Sequence, residues 1–140
     1  MSQPEHKMPP SGTITWTEIP ATDLARCQKF YETVFGWKIT PMPGATAEPT
    51  VLLFNAGPSN GNFKKVAEGD HLSAARDASK SKMGICVTMA VDSIDATLKS
   101  IQEAGGETYI DKAEIPGGTM GYVASFLDTE KNVMGLWSMT

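Results

Sequence analysis

A strand, a polar cap, an amphipathic helix and a glycine stop occur twice in this chain, seventy residues apart. The first copy is "TWTEIPATDLARCQKFYETVFGW", from Thr15 to Trp37, and the second is "ICVTMAVDSIDATLKSIQEAGGETYI", from Ile85 to Ile110. Self-similarity at a fixed period marks a duplicated supersecondary unit, so a paired α+β module constrains the fold before any single residue does.

In the first copy, Thr13 to Ile19 alternates and carries β-branched and aromatic types, which is strand chemistry, with Ile14, Trp16 and Glu18 on one face. Thr22 occupies the N-cap place, Asp23 the first turn, and Leu24, Cys27, Tyr31, Val34 and Phe35 recur at helical spacing until Gly36. The spacing predicts a helix of about 13 residues. In the second copy Ile94, Leu98, Ile101 and Ala104 form the helix face, Asp92 or Ser93 caps it, and Gly105–Gly106 end it. "WKITPM", "PTVLLFNAG" and "GNFKKVA" follow the first helix as strands, the last two joined across "GPSNG". "ETYIDKAEI", "MGYVASFLD" and "VMGLWSM" follow the second, separated by "PGG" and "TEKN". Each half therefore reads βαβββ.

Module one spans residues 13–67 and module two 84–140, after an N-terminal arm at 1–12 that is rich in proline and polar types. Between them, 68–83 is polar and alanine-rich, a mobile connector with one short helical turn. A chain of 140 residues with 41% apolar content has room for one domain. A net charge of −4 with scattered lysines presents no basic stripe, so nucleic acid is not an expected partner. No apolar run nears the ~20 residues that span a bilayer, and "MSQPEHKMPPSG" lacks the apolar core of a secretory signal, so the expectation is a cytoplasmic protein without a membrane partner. Cys27 and Cys86 form no CxxC spacing and read as free thiols.

The doubled βαβββ order, the "TDLARCQKFYETVFGW" and "VDSIDATLKSIQEAGG" helices and the terminal "FLDTEKNVMGLW" together resemble the vicinal oxygen chelate superfamily, which includes glyoxalase I, bleomycin resistance proteins and extradiol dioxygenases. The similarity runs from about residue 12 to 140 and is greatest to the glyoxalase-like branch ending in a "DPEGN…GLW" motif, from which Thr129 departs by standing where proline is usual. The resemblance implies an α+β fold in which two βαβββ modules form a half-open barrel with a concave ligand cavity, and a homodimer.

In metal-using relatives the ligands are His, Glu or Gln from the first and last strands of each module. Aligned on "TDL" and "AVDS", the first-strand positions fall on Trp16 and Cys86, which also sit at the period of the internal repeat. The last-strand position of module two falls on Gly135, and that of module one near Phe63, Lys64 or Lys65. His6 lies in the arm and His71 in the connector. A divalent metal needs three or four converging N, O or S donors, so neither a metal nor any other cofactor is expected.

The exchanges point to a drier, aromatic cavity: a ring at Trp16, a small soft group at Cys86, open space at Gly135, and Trp137 turned the same way. The plain alternative is that Trp16 and Trp137 fill the barrel as core. Glu18 shares the face of Trp16 and is the candidate general base, its neutral form favoured in a poorly hydrated site; as a solvated or ion-paired surface acid it would do nothing chemical. Thr88, the counterpart of Glu18 in module two, and Tyr122 are candidate hydrogen-bond donors, and Cys86 reads as a buried inert thiol rather than a nucleophile. Two functions fit: a protein that binds a hydrophobic or aromatic small molecule, and a metal-independent lyase, isomerase or cyclase acting on a carbonyl compound with Glu18 as base and Tyr122 or Thr88 as donor.

Overall fold

The computed structural model describes residues 8–44, 47–72 and 84–140; most of the arm and of the 68–83 connector lies outside these. Each copy of the repeat folds as a helix on a four-stranded sheet. Module one comprises β1 (Thr17–Ala21), α1 (Leu24–Phe35), β2 (Lys38–Pro41), β3 (Val51–Ala56) and β4 (Ser59–Lys65), with sheet order β1-β4-β3-β2. Module two comprises β5 (Thr88–Ala90), α2 (Ile94–Glu103), β6 (Glu107–Glu114), β7 (Tyr122–Leu127) and β8 (Val133–Ser138), in the order β5-β8-β7-β6. The first strand of each module pairs parallel with the last, and the other pairings are antiparallel. The α+β architecture expected from the repeat is present, and a 3-10 turn, Glu68–Asp70, opens the connector.

Both first strands begin later than alternation predicts. β1 starts at Thr17 rather than Thr13: in register with Gly61, Thr13 and Ile14 would fall on the Gly57–Pro58 turn, and Thr15 and Trp16 lie outside the ladder. β5 starts at Thr88, opposite Gly135, and just upstream Val87 still accepts from the Gly135 N–H at 2.8 Å. The caps also sharpen. Asp23, not Thr22, caps α1 by accepting from the Arg26 N–H at 3.0 Å. Thr22 is drawn elsewhere, donating its hydroxyl to Glu130 at 3.1 Å. Ser93 caps α2, accepting from the Ala96 N–H, and Gly36 closes α1 at φ 67°, a left-handed conformation natural to glycine.

One apolar core serves both modules. Phe30 and Phe35 of α1 reach Phe126 of β7, with ring centroids 6.1 and 5.8 Å apart. Tyr31, Trp37, Phe54 and Phe63 stack through module one at 4.6–5.0 Å. Gly106 allows a close approach: a Cβ there would collide with Ile101 and the Leu127 carbonyl and press on Phe30.

The turn between β7 and β8 joins the modules through two buried carboxylates. Asp128, 3% exposed, accepts from the backbone N–H groups of Glu130 and Asn132 at 2.8 and 2.9 Å, from the Asn132 amide at 3.0 Å, and from the Tyr31 hydroxyl of α1 at 2.7 Å. Glu130, 2% exposed, accepts from the N–H groups of Thr22 and Asp23 at 2.9 and 2.8 Å, and from Arg26 Nε at 2.8 Å. Asn132 donates to the Pro20 carbonyl of β1 at 2.9 Å. Thr129 donates to Glu130 at 2.9 Å, a bond that the usual proline could not make.

The two carboxylates respond to this setting in opposite directions. Burial pushes Asp128 upward more than its hydrogen bonds from Asn132, Tyr31 and Glu130 pull it down. Burial also works against the Glu130 anion, but the bonds from Arg26, the Asp23 N–H and Thr129 outweigh it and hold this carboxyl below its ordinary value. Stability contributed by Glu130 is therefore complete above the ordinary value of 4.5 and is lost as pH falls through the lower folded-state value. Asp128 has the opposite sign: its contribution is complete below 3.8 and declines as pH rises through its raised value. We expect Glu130→Gln to lower stability at pH 7 by about 1.5–3 kcal/mol, the worth of hydrogen bonds to a charged group. The gap between variant and parent should narrow on acidification below the glutamate range. Urea midpoints across pH check this, and a gap that widens in acid would contradict it.

Candidate functional site

Strand alternation divides each sheet into a helix-packed face and an inner face. On β1, Ile19 and Ala21 enter the core while Glu18 and Pro20 face the other way. On β8, Met134, Leu136 and Ser138 are buried against the core side, leaving Val133, Gly135 and Trp137 on the inner face. On β7, Ala124 and Phe126 are core, and Val123 and Ser125 face inward. A cavity of about 420 Å³ lies on the inner face of the second sheet and is closed on one side by β1. Its wall includes Glu18 and Pro20, the segment Ile85–Thr88, Ile110 of β6, Val123 and Ser125, and Val133 and Gly135.

The pairing register locates the fourth ligand position of the metal-using relatives. Glu18 pairs with Asn62 and its repeat counterpart Thr88 pairs with Gly135, so Asn62 stands to module one as Gly135 stands to module two. The expected Phe63 is instead fully buried core, and Lys64 lies one pair further along the strand. The four positions thus carry an indole, a carboxamide, a thiol and no side chain. Trp16 Nε1 donates to Asn62 Oδ1 at 2.6 Å, which engages the only oxygen in the set. Among the described residues no three His, Cys, Asp or Glu side chains are grouped to hold a metal ion. These residues do not fit a divalent cation.

Several expected placements need correction. Trp16 is 52% exposed and precedes β1, so it is neither core nor cavity wall, but stands beside the cavity on the inner side of module one. Trp137 is 37% exposed, past the cavity on the same face as Gly135, and donates Nε1–H to the Met120 carbonyl at 2.8 Å. Tyr122 begins β7 on the face of Ala124 and Phe126, with Lys112 Nζ 4.5 Å from its ring centroid, and does not line the cavity. Cys86 lines the cavity but is exposed, because it is in phase with the exposed Thr88 and not with the residues that face the core. Cys27 is the buried thiol, and burial raises its pKa far above the ordinary range.

Glu18 and Thr88 do line the cavity, yet Glu18 is solvent-exposed, and the dry surroundings expected for it are not there. Nor does Gly135 leave open space: a Cβ there would collide with the Thr88 hydroxyl, so Thr88 already fills the gap. Ser125 was not anticipated. It faces Gly135 across β7 and β8, and the signal for it was Phe126, whose assignment to the core places Ser125 on the opposite face.

The profile of the bleomycin resistance protein-like N-terminal family matches residues 13–46. The chain is 32% identical over 126 residues to a glyoxylase-like domain-containing protein of Didymella fabae, an alignment covering 86% of this chain and 89% of that one. The chain belongs to the glyoxalase/bleomycin resistance/dioxygenase superfamily. Within this superfamily it is 26% identical over 129 residues to CFP32 of Mycobacterium tuberculosis (strain CDC 1551 / Oshkosh), covering 90% of this chain and 45% of that one, so it spans less than half the length of that relative. The solved structure of a glyoxalase/bleomycin resistance protein/dioxygenase family enzyme from Burkholderia phytofirmans PsJN superposes with a TM-score of 0.67 at 19% identity, over 90% of this chain and 98% of that one.

The contact between Thr88 and Gly135 can be tested directly. Gly135→Ala forces Thr88 to turn or β5 to part from β8, an overpacking that should cost about 1–3 kcal/mol. Adding Thr88→Ala should recover most of that loss. Thermal unfolding of the single and double variants measures both, and a Gly135→Ala protein as stable as the parent would show that the position tolerates a side chain.

Proposed function

We propose that this superfamily member binds a hydrophobic or aromatic small molecule in the cavity between β1 and the second sheet, without a metal ion. The observation that carries the reading is the composition of the wall. Ile85, Val87, Ile110, Val123 and Val133 surround a volume of about 420 Å³, within the range of small-molecule sites, and Glu18 is its one charged side chain among the described residues. The family-profile match to bleomycin resistance-like proteins over residues 13–46 supports a binding role. The donor set at Trp16, Asn62, Cys86 and Gly135 supports the absence of a metal, since an indole N–H and a glycine offer no lone pair.

A second reading has one observation in its favour. Glu18 lies on the cavity wall, where it can serve as general base in a metal-independent lyase, isomerase or cyclase acting on a carbonyl compound. The donor in that scheme is Thr88, because Tyr122 faces the helix side. Turnover of a carbonyl substrate, abolished by Glu18→Gln with binding intact, would favour the enzyme.

Two measurements bear on the binding reading. Elemental analysis of purified protein should find well under one zinc, nickel, iron or manganese per chain, and a stoichiometric metal that survives dialysis would overturn the metal-free assignment. Cys86 is a built-in reporter, being exposed on the wall while Cys27 is buried. Saturation with the neutral dye N-phenyl-1-naphthylamine should slow alkylation of Cys86 by roughly tenfold or more, as expected for a thiol that reacts only when the site is vacant. Failure of the dye to bind at its solubility limit, with Cys86 reacting as before, would sink the cavity reading.

A further inference from the structure

We propose that the cavity floor recognises one uncharged oxygen of the ligand, and that the Ser125 hydroxyl is its hydrogen-bond partner. The inference rests on the cavity reading above and narrows it to apolar compounds that carry a carbonyl or similar neutral oxygen.

Ser125 is 9% exposed, and its Oγ is buried with no hydrogen-bond partner. Buried polar atoms are nearly always paired, so an orphan hydroxyl in a cavity wall calls for a partner from outside the fold. Its neighbours cannot supply one. Across β6 stands Ile110 and across β8 stands Gly135, and the Thr88 hydroxyl that fills the space at Gly135 is not bonded to Ser125. Directly opposed residues place their Cβ atoms about 4.5–5.5 Å apart, so a side chain at position 135 would cover the Ser125 hydroxyl. With glycine there, and with Thr88 closing the far side of the gap, the hydroxyl stays open to the cavity alone.

Charge narrows the class further. No lysine, arginine or histidine among the described residues lines this cavity, and Glu18 is its one charged group. A carboxylate or phosphate would gain no ion pair from the described residues there and would face Glu18. A neutral oxygen can accept from Ser125, with the apolar remainder resting on Ile85, Ile110, Val123 and Val133.

The test compares three probes on the full chain by fluorescence titration: 2-acetylnaphthalene, its hydrocarbon isostere 2-isopropenylnaphthalene, and 2-naphthoate. We expect the ketone to bind about threefold to tenfold more tightly than the hydrocarbon, the effect of one net hydrogen bond, and the carboxylate to bind most weakly. Ser125→Ala should erase the ketone's advantage while leaving the hydrocarbon's affinity unchanged. Without ligand, Ser125→Ala should melt at or above the parent temperature, because it removes an unpaired buried hydroxyl. Ser125→Cys, of similar volume and weaker hydrogen bonding, should give an intermediate ratio and serves the same purpose should the alanine variant fold poorly. A ketone preference untouched by both substitutions, naphthoate binding as tightly as the ketone, or a melting temperature lowered by several degrees in Ser125→Ala would each overturn the inference while leaving the cavity reading standing. Absence of binding by all three probes, with Cys86 unprotected, would overturn both.

Discussion

Two carboxylates placed out of water at the β7–β8 turn are the interaction on which the assembly of this protein depends. An acid with 2–3% exposure is tolerated only when its lone pairs are satisfied, and here the turn's own groups share that work with donors from the other module. Tyr31 and Arg26 project from α1, the Thr22 and Asp23 N–H groups lie at its start, and Asn132 fastens to the Pro20 carbonyl. Ridges of apolar side chains alone would let the modules slide. Directional bonds to buried charges do not, because each slip would strand an acceptor. Arg26 is half-exposed, so its ion pair is screened, and most of the constraint comes from the backbone N–H groups and the Tyr31 hydroxyl.

That clamp sets where β1 stands relative to the second sheet, and the cavity exists in the space between them. Its chemistry is decided by small substitutions on a shared scaffold. The repeat places Glu18 and Thr88 at equivalent positions, and Asn62 and Gly135 at equivalent positions. The two modules then diverge: in one, Trp16 and Asn62 close on each other through a hydrogen bond, and in the other, glycine leaves Thr88 to fill the gap and Ser125 open. A duplicated fold has become an asymmetric cavity, apolar on most of its wall with the buried Ser125 hydroxyl on its floor.

Much of the architecture was legible in the sequence. The doubled pattern announced two modules, Gly36 and Gly105 marked where the helices stop, and the six later strands fell near their quoted stretches. These features are local: they depend on hydrophobic period, capping chemistry and glycine's freedom at positive φ, all of which act within a few residues. The "DTEKN" stretch was visible as a motif, yet its work as a clamp was not, since every donor to Glu130 other than Thr129 lies more than a hundred residues away.

The site was legible only in part, for reasons that the same residues display. Alternation correctly placed Glu18 and Thr88 on the inner face, because a period of two needs no partner to be read. It misplaced Tyr122 by one step, since the phase of a strand is set by which neighbour enters the core, and Phe126 settles that only once packed. It could not say that Trp16 and Cys86 lie outside their strands, because where a strand leaves its ladder is decided by pairing with a distant segment. Residue types along the chain thus determined the elements and which side chains stand at Trp16, Cys86 and Gly135. Tertiary structure alone decided that Asn62 holds Trp16, that Thr88 fills the space beside Gly135, and that Ser125 faces a cavity without a partner, because each follows from cross-strand register, a relation between distant segments that no local pattern encodes.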